Sequence, residues 1–157
     1  MSIDTEIEKF SNAKTLFLKT IDNLSQDEMT HPNVEGVWSI KDIIGHLTSW
    51  QMLCVQIIEG LQLCKPAVLP YITDENVWNN QQAENKRELS FDRIITDYNT
   101  VHQMIIDGVN GLTPEQQSQI IALPWGEQNN LEGMLSGLAW HEDYHRQAIT
   151  SWLAKKK

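Results

Sequence analysis

The stretch NLEGMLSGLAWHEDYHRQAITSW, Asn130 to Trp152, decides the fold. Leu131, Met134, Leu138, His141, His145, Ala148 and Trp152 recur in it three or four residues apart, the repeat of one helical face. Asn130 supplies an N-cap. The pattern predicts a long helix with one buried stripe. His141 and His145, one turn apart, interrupt that stripe on the same side. Gly133 and Gly137 cost helix stability, which predicts a close approach to a neighbouring helix. The letters His141-Glu142-x-x-His145 match a zinc-protease pattern whose glutamate is the general base. No third ligand follows downstream, however, and Glu142 reads as a solvated residue beside the stripe.

The same period runs through the rest of the chain. Ile7, Phe10, Ala13, Phe17, Ile21 and Leu24 mark a first helix, with Thr5 and Glu8 spaced as a capping box. Ser25 and Glu28 open a short turn that His31-Pro32 ends. Ser39 and Asp42 open a helix to about Leu61, with a stripe of Ile43, His46, Leu47, Trp50, Cys54 and Ile57. Cys64 to Asp74 holds Pro66 and Pro70 and predicts a long connection across the end of a bundle. Glu75 to Arg87 is a polar helix leading to Phe91–Val109, as one bent helix or two in succession. Asn110-Gly111 stops it. Thr113-Pro114-Glu115-Gln116 opens a short helix, and 120–129 reads as loop. Nothing alternates as a strand would. Four long amphipathic segments predict an all-α, four-helix bundle with a long crossover and short extra helices, one domain over residues 1–157.

The charge limits the partners. The formal net charge is -9, which repels phosphate backbones, so no nucleic acid is expected. Lys155, Lys156 and Lys157 read as a solvated helix end. No apolar run reaches membrane-spanning length and no secretory h-region opens the chain, so no membrane is expected. Cys54 and Cys64 read as free thiols of a reducing compartment. The expected location is cytoplasmic.

The histidines carry the chemistry. His46, between Ile43 and Trp50 on the second long stripe, is the third histidine on an apolar face. Neutral imidazole suits zinc and nickel, and also iron or manganese. His141 and His145 on one helix and His46 on another can share one divalent ion. Three protein ligands leave positions open, as in a catalytic rather than a structural site. The competing reading is plain packing of the three rings. His102 reads as a boundary residue and His31 as a loop residue. Trp50, Trp140 and Tyr144 flank the histidines and could wall a substrate pocket, or simply fill core. Asp42 could orient His46, but capping explains it more cheaply.

Two motifs resemble a known family: Trp38-Ser39-Ile40-Lys41-Asp42 through His46-Leu47 to Trp50, and His141-x-x-x-His145-Arg146-Gln147-Ala148-Ile149. Together they resemble the DinB/YfiT-like superfamily, and the stretch from Trp78 is similar to the branch of colibactin self-resistance and DfsB-like proteins. The resemblance implies an up-down-down-up bundle, frequent homodimers, and a three-histidine metal site carried over onto His46, His141 and His145. It also implies thiol-dependent transfer or isomerisation, or hydrolysis of reactive electrophiles. The expected function is a metal-dependent enzyme that activates water or a low-molecular-weight thiol against a small electrophile, as hydrolase or thiol transferase. The alternative is a binding protein that sequesters a small reactive compound.

Overall fold

The computed structural model describes residues 2–156; Met1 and Lys157, the last of the terminal lysines, lie outside the described residues. Four long helices dominate: α1 (Ile3–Ile21), α3 (Ile40–Gln62), α5 (Phe91–Asn110) and α7 (Leu131–Lys155). The shorter α2 (Gln26–Thr30), α4 (Glu75–Lys86) and α6 (Pro114–Gln117) lie in the connections. Local chemistry sets the starts. Ser25 with Glu28, Ser39 with Asp42, and Thr113 with Gln116 all close capping boxes, each a source of about 1 kcal/mol. The first helix differs from expectation. Its cap is Ser2, which accepts from Thr5 N, so Thr5 lies inside the helix.

The residue pairings give the directions. Gly45 of α3 abuts Ile94 of α5, and Gly108 of α5 abuts Ile58; numbers rise together, so α3 and α5 are parallel. His46 meets His145, while Gln51 meets Glu142; numbers run oppositely, so α3 and α7 are antiparallel. The order is up-down-down-up, and the parallel α3–α5 pair requires the long crossover. That crossover holds residues 63–74 and α4, then a turn at residues 87–90 before α5. Two helices in succession therefore replace the alternative of one bent helix.

The core forms two tiers. Phe10, Ile58, Val101, Ile105, Met134 and Leu138 fill one end. Phe17, Ile40, Ile43, Leu47, Ile94 and Ile149 fill the other. Between them sits a polar layer. Glu142 is fully buried and accepts from Gln51 Nε2 at 2.7 Å and from Tyr98 OH at 2.8 Å. This corrects the reading of Glu142 as solvated: it follows Leu138 by four and precedes His145 by three, so it belongs on the buried face. His102 is also core, 2% exposed, with its ring stacked on Phe10 at 4.0 Å.

A second correction concerns residues 120–129. Two strands of two residues, β1 (Ile121–Ala122) and β2 (Gln128–Asn129), pair antiparallel there. The glycines of α7 receive this hairpin rather than a neighbouring helix. A Cβ on Gly137 would lie 2.8 Å from Trp125 Cζ2, and one on Gly133 would collide with Asn129. Cys54 is buried, Cys64 is exposed and both are free. No helix among the described residues is long and apolar enough to cross a membrane.

Candidate metal centre

Helix α7 presents His141 and His145 one turn apart, and α3 crosses it antiparallel with His46 facing them. Nε2 of His141 lies 3.0 Å from Nε2 of His46 and 3.0 Å from Nε2 of His145. One ring nitrogen from each of the three lies within 4.8 Å of the other two. The structure thus brings together the three histidines that the stripes selected.

The turn before α3 completes the cluster. Val34 N donates to Trp38 O at 2.8 Å and Trp38 N donates to Glu35 O at 3.0 Å. Gly36, at φ +58, takes the left-handed conformation this tight turn needs. Glu35 and Trp38 therefore project side by side. The Trp38 ring lies 4.8 Å from the His46 ring. His145 Nδ1 donates to Glu35 Oε2 at 2.5 Å. An ionised carboxylate can only accept here, so Nδ1 of His145 carries a proton and Nε2 is the ring nitrogen turned toward the other two imidazoles.

Burial keeps the His46 and His141 rings neutral. It pushes the His46 imidazole down to about 2, with His141, His145 and Lys86 adding in that order. It pushes His141 down to about 3, with His145 adding. A neutral imidazole such as that of His46 or His141 has a single N–H, so the convergence of Nε2 atoms brings lone pairs together. A tetrahedral zinc ion separates imidazole nitrogens by about 3.3 Å, from ligand bonds of about 2.0–2.1 Å. The donor set and its spacing fit a divalent ion, and these residues could hold one.

The imidazoles open into a cleft of about 720 Å³. Trp50, Trp140 and Tyr144, expected at the pocket, line it, joined by Trp38 and Trp125. Trp50 Nε1 donates to Asn79 Oδ1 of α4 at 2.9 Å, and Trp125 Nε1 donates to Glu127 Oε2 at 3.1 Å. Trp140 and Tyr144 stay 66% and 52% exposed. Asp42 is no partner of the histidines. Its Oδ2 accepts from Ser39 N and Ser39 Oγ, both at 2.9 Å, so it caps α3. The carboxylate on the cluster is Glu35, which no helical period announces; its only sequence signal is the Glu-Gly turn ahead of Trp38. His102 and His31 stand apart from the cluster.

Known proteins resemble this chain in sequence or in fold. A candidate metal-dependent hydrolase of Oceanobacillus iheyensis is 23% identical over 127 residues, covering 81% of this chain and 71% of that protein. YfiT of Bacillus subtilis, described as a candidate metal-dependent hydrolase with an unusual four-helix bundle topology, superposes with a TM-score of 0.76 at 19% identity, over 99% of this chain and 90% of YfiT. A mycothiol-dependent maleylpyruvate isomerase superposes with a TM-score of 0.80 at 9% identity over 95% of this chain. The chain spans 61% of the length of that isomerase. The sequence profile of the DinB superfamily matches residues 9–149, nearly the whole bundle, and the chain belongs to that superfamily.

Proposed function

We propose that the cleft is the active site of a metal-dependent enzyme that directs water, or a small thiol, at a small electrophilic compound. In this reading His46, His141 and His145 hold a divalent ion, with zinc and nickel best suited to three imidazoles and iron or manganese next. When bound, such an ion lowers the pKa of a coordinated water or thiol and supplies a nucleophile at neutral pH. The protein's own groups prepare the site. Glu35 holds the Nδ1 proton of His145 and so keeps Nε2 free to ligate. Burial keeps His46 and His141 unprotonated at neutral pH. The indole walls exclude water from an apolar substrate. The observation that carries the reading is the meeting of three Nε2 atoms with one imidazole already oriented from behind by a carboxylate. The names of the Oceanobacillus and Bacillus proteins support it, as does the thiol dependence of the isomerase.

Sequestration without turnover is the second reading. One observation favours it: Glu35, the carboxylate beside the imidazoles, is committed to His145 and is not free as a general base. Metal analysis of tag-free protein, followed by assays with an epoxide and an activated ester, separates the readings. Stoichiometric metal, lost in His145→Ala, with metal-dependent turnover is the expected result. Failure to bind any added divalent ion, with no change in Tm, refutes the metal site. Tight binding of the electrophile without turnover favours sequestration.

A further inference from the structure

The cleft has a one-sided polarity. Three carboxylates line it, Glu35, Glu75 and Glu127, and no Lys or Arg does so among the described residues. The rest of its wall is aromatic, with Asn76 and Asn79 beside the rings. Two of the indole N–H groups are already used within the protein, on Asn79 and Glu127. Those two tryptophans therefore offer a ligand π surface rather than a hydrogen-bond donor. The centroids of the Trp140 and Tyr144 rings lie 5.3 Å apart at an interplanar angle of 31°. Both rings are more than half exposed, and a ligand with an apolar body would cover them. Glu127 is exposed, and the Asn129 amide followed by the Trp125 indole holds its carboxyl below the usual range, so it is ionised at neutral pH.

We propose that this cleft selects cationic ligands: a protonated amine or quaternary ammonium group carried on an aromatic or planar apolar body. The ammonium would lie among the indole faces and the carboxylates of Glu75 and Glu127, where cation–π attraction and charge act together. An electrophilic carbon elsewhere on the same body would point toward the imidazoles; this part rests on the function proposed above. The charge sum is consistent with it. Three carboxylates contribute -3, so a divalent ion on the histidines leaves the lining at -1. The formal net charge of -9 draws cations toward the protein at long range. An anionic substrate, or a thiol bearing carboxylates, meets no cationic side chain of the lining. The same polarity makes water the better matched of the two nucleophiles.

The test uses three ligands sharing one ring: 2-phenylethylamine, which is cationic at neutral pH, 2-phenylethanol and 3-phenylpropanoate. Each is titrated against the full chain by quenching of tryptophan fluorescence, with and without bound zinc. The amine is expected to bind at least about tenfold more tightly than the alcohol, a difference of one pKd unit, and the anion most weakly. Added salt weakens only the amine. The double variant Glu75→Gln, Glu127→Gln removes two charges from exposed side chains and leaves an amide oxygen for the Trp125 indole or the Asn129 amide; with its circular dichroism and Tm unchanged, it is expected to lose most of the amine's advantage. Equal binding of amine and alcohol, tighter binding of the anion, or no binding of any of the three overturns the proposal. Protein that takes up no zinc yet prefers the amine removes the metal reading and supports this one. Protein that binds zinc and turns over electrophiles but treats the three ligands alike overturns this one alone.

Discussion

Replacing Glu35 separates a metal centre from a packed trio of rings. Glu35 Oε2 lies 2.5 Å from His145 Nδ1, and the two side chains are 24% and 7% exposed. The bond is largely shielded from solvent and joins a charged acceptor to a ring N–H, the stronger class of hydrogen bond. Loss of a carboxylate that orients a metal-binding histidine weakens metal affinity about 10–100-fold, or about 1.4–2.7 kcal/mol. Glu35→Gln keeps an acceptor oxygen but removes the charge, so its effect falls near the lower bound. Glu35→Ala removes both and approaches the upper. Asp42→Ala is the matched control. It deletes a carboxylate from the same region that caps α3 without touching the histidines, costing about 1 kcal/mol of stability and no metal affinity. Competition for zinc with a chromophoric chelator at pH 7.5, with Tm measured alongside, reads both quantities. If both Glu35 variants bind zinc within about twofold of the parent, or if Asp42→Ala weakens zinc as much as they do, the reasoning fails.

Two further predictions concern the buried polar layer, away from the ligand nitrogens. Burial pushes the Glu142 carboxyl up to about 7, against the lowering effects of Tyr98, Gln51 and Lys14. The folded state then holds its proton to higher pH than the unfolded state, so stability falls as pH rises from about 4.5 to 7, by up to about 3 kcal/mol. Glu142→Gln cannot ionise, and once the Gln51 amide turns over, the NH2 of the variant side chain can donate to Gln51 Oε1, which has no partner among the described residues. Chemical denaturation is expected to find the variant more stable than the parent at pH 8, with the gap closing by pH 4.5; a less stable variant at pH 8 refutes this account. His102 works in the opposite direction. Burial, then Lys14, lowers it to about 4, with Phe10 O raising it slightly. The unfolded state therefore takes up the proton first, and stability present above pH 6.5 is lost toward pH 4, on the order of 3 kcal/mol. His102→Gln is expected to flatten the stability–pH profile across that window whatever its absolute stability, and an unchanged slope counts against the assignment.

Much of the bundle was readable because burial writes a 3.6-residue period into the letters. His46, His141 and His145 each replaced an apolar residue on such a stripe, and the fold places all three in one cluster. Glu142 was misread although it stands at the same spacing, because a charged letter is normally assigned to solvent; the facing Tyr98 and Gln51, 44 and 91 residues away in sequence, supply the hydrogen bonds that make its burial tolerable. Glu35 was invisible for a related reason. It lies in an aperiodic turn and its partner is 110 residues distant. The hairpin at 121–129 was too short for alternation to register. Its docking on Gly133 and Gly137 was legible only as a demand for closeness, without saying to what.

That hairpin separates two parts of the molecule with different freedom to change. The imidazoles stand on α3 and α7, whose buried faces tolerate little variation. Trp125 and Glu127 stand on the turn between β1 and β2, fastened to α7 by Asn129 and by the Trp125 ring lying over Gly137. Exchanging only residues 124–127, with the buried Leu123 kept, would recast the rim of the cleft while the imidazole nitrogens keep their places. The rim of the cleft can thus be altered by editing one short turn, and a laboratory seeking to change what the cleft admits can graft at that place.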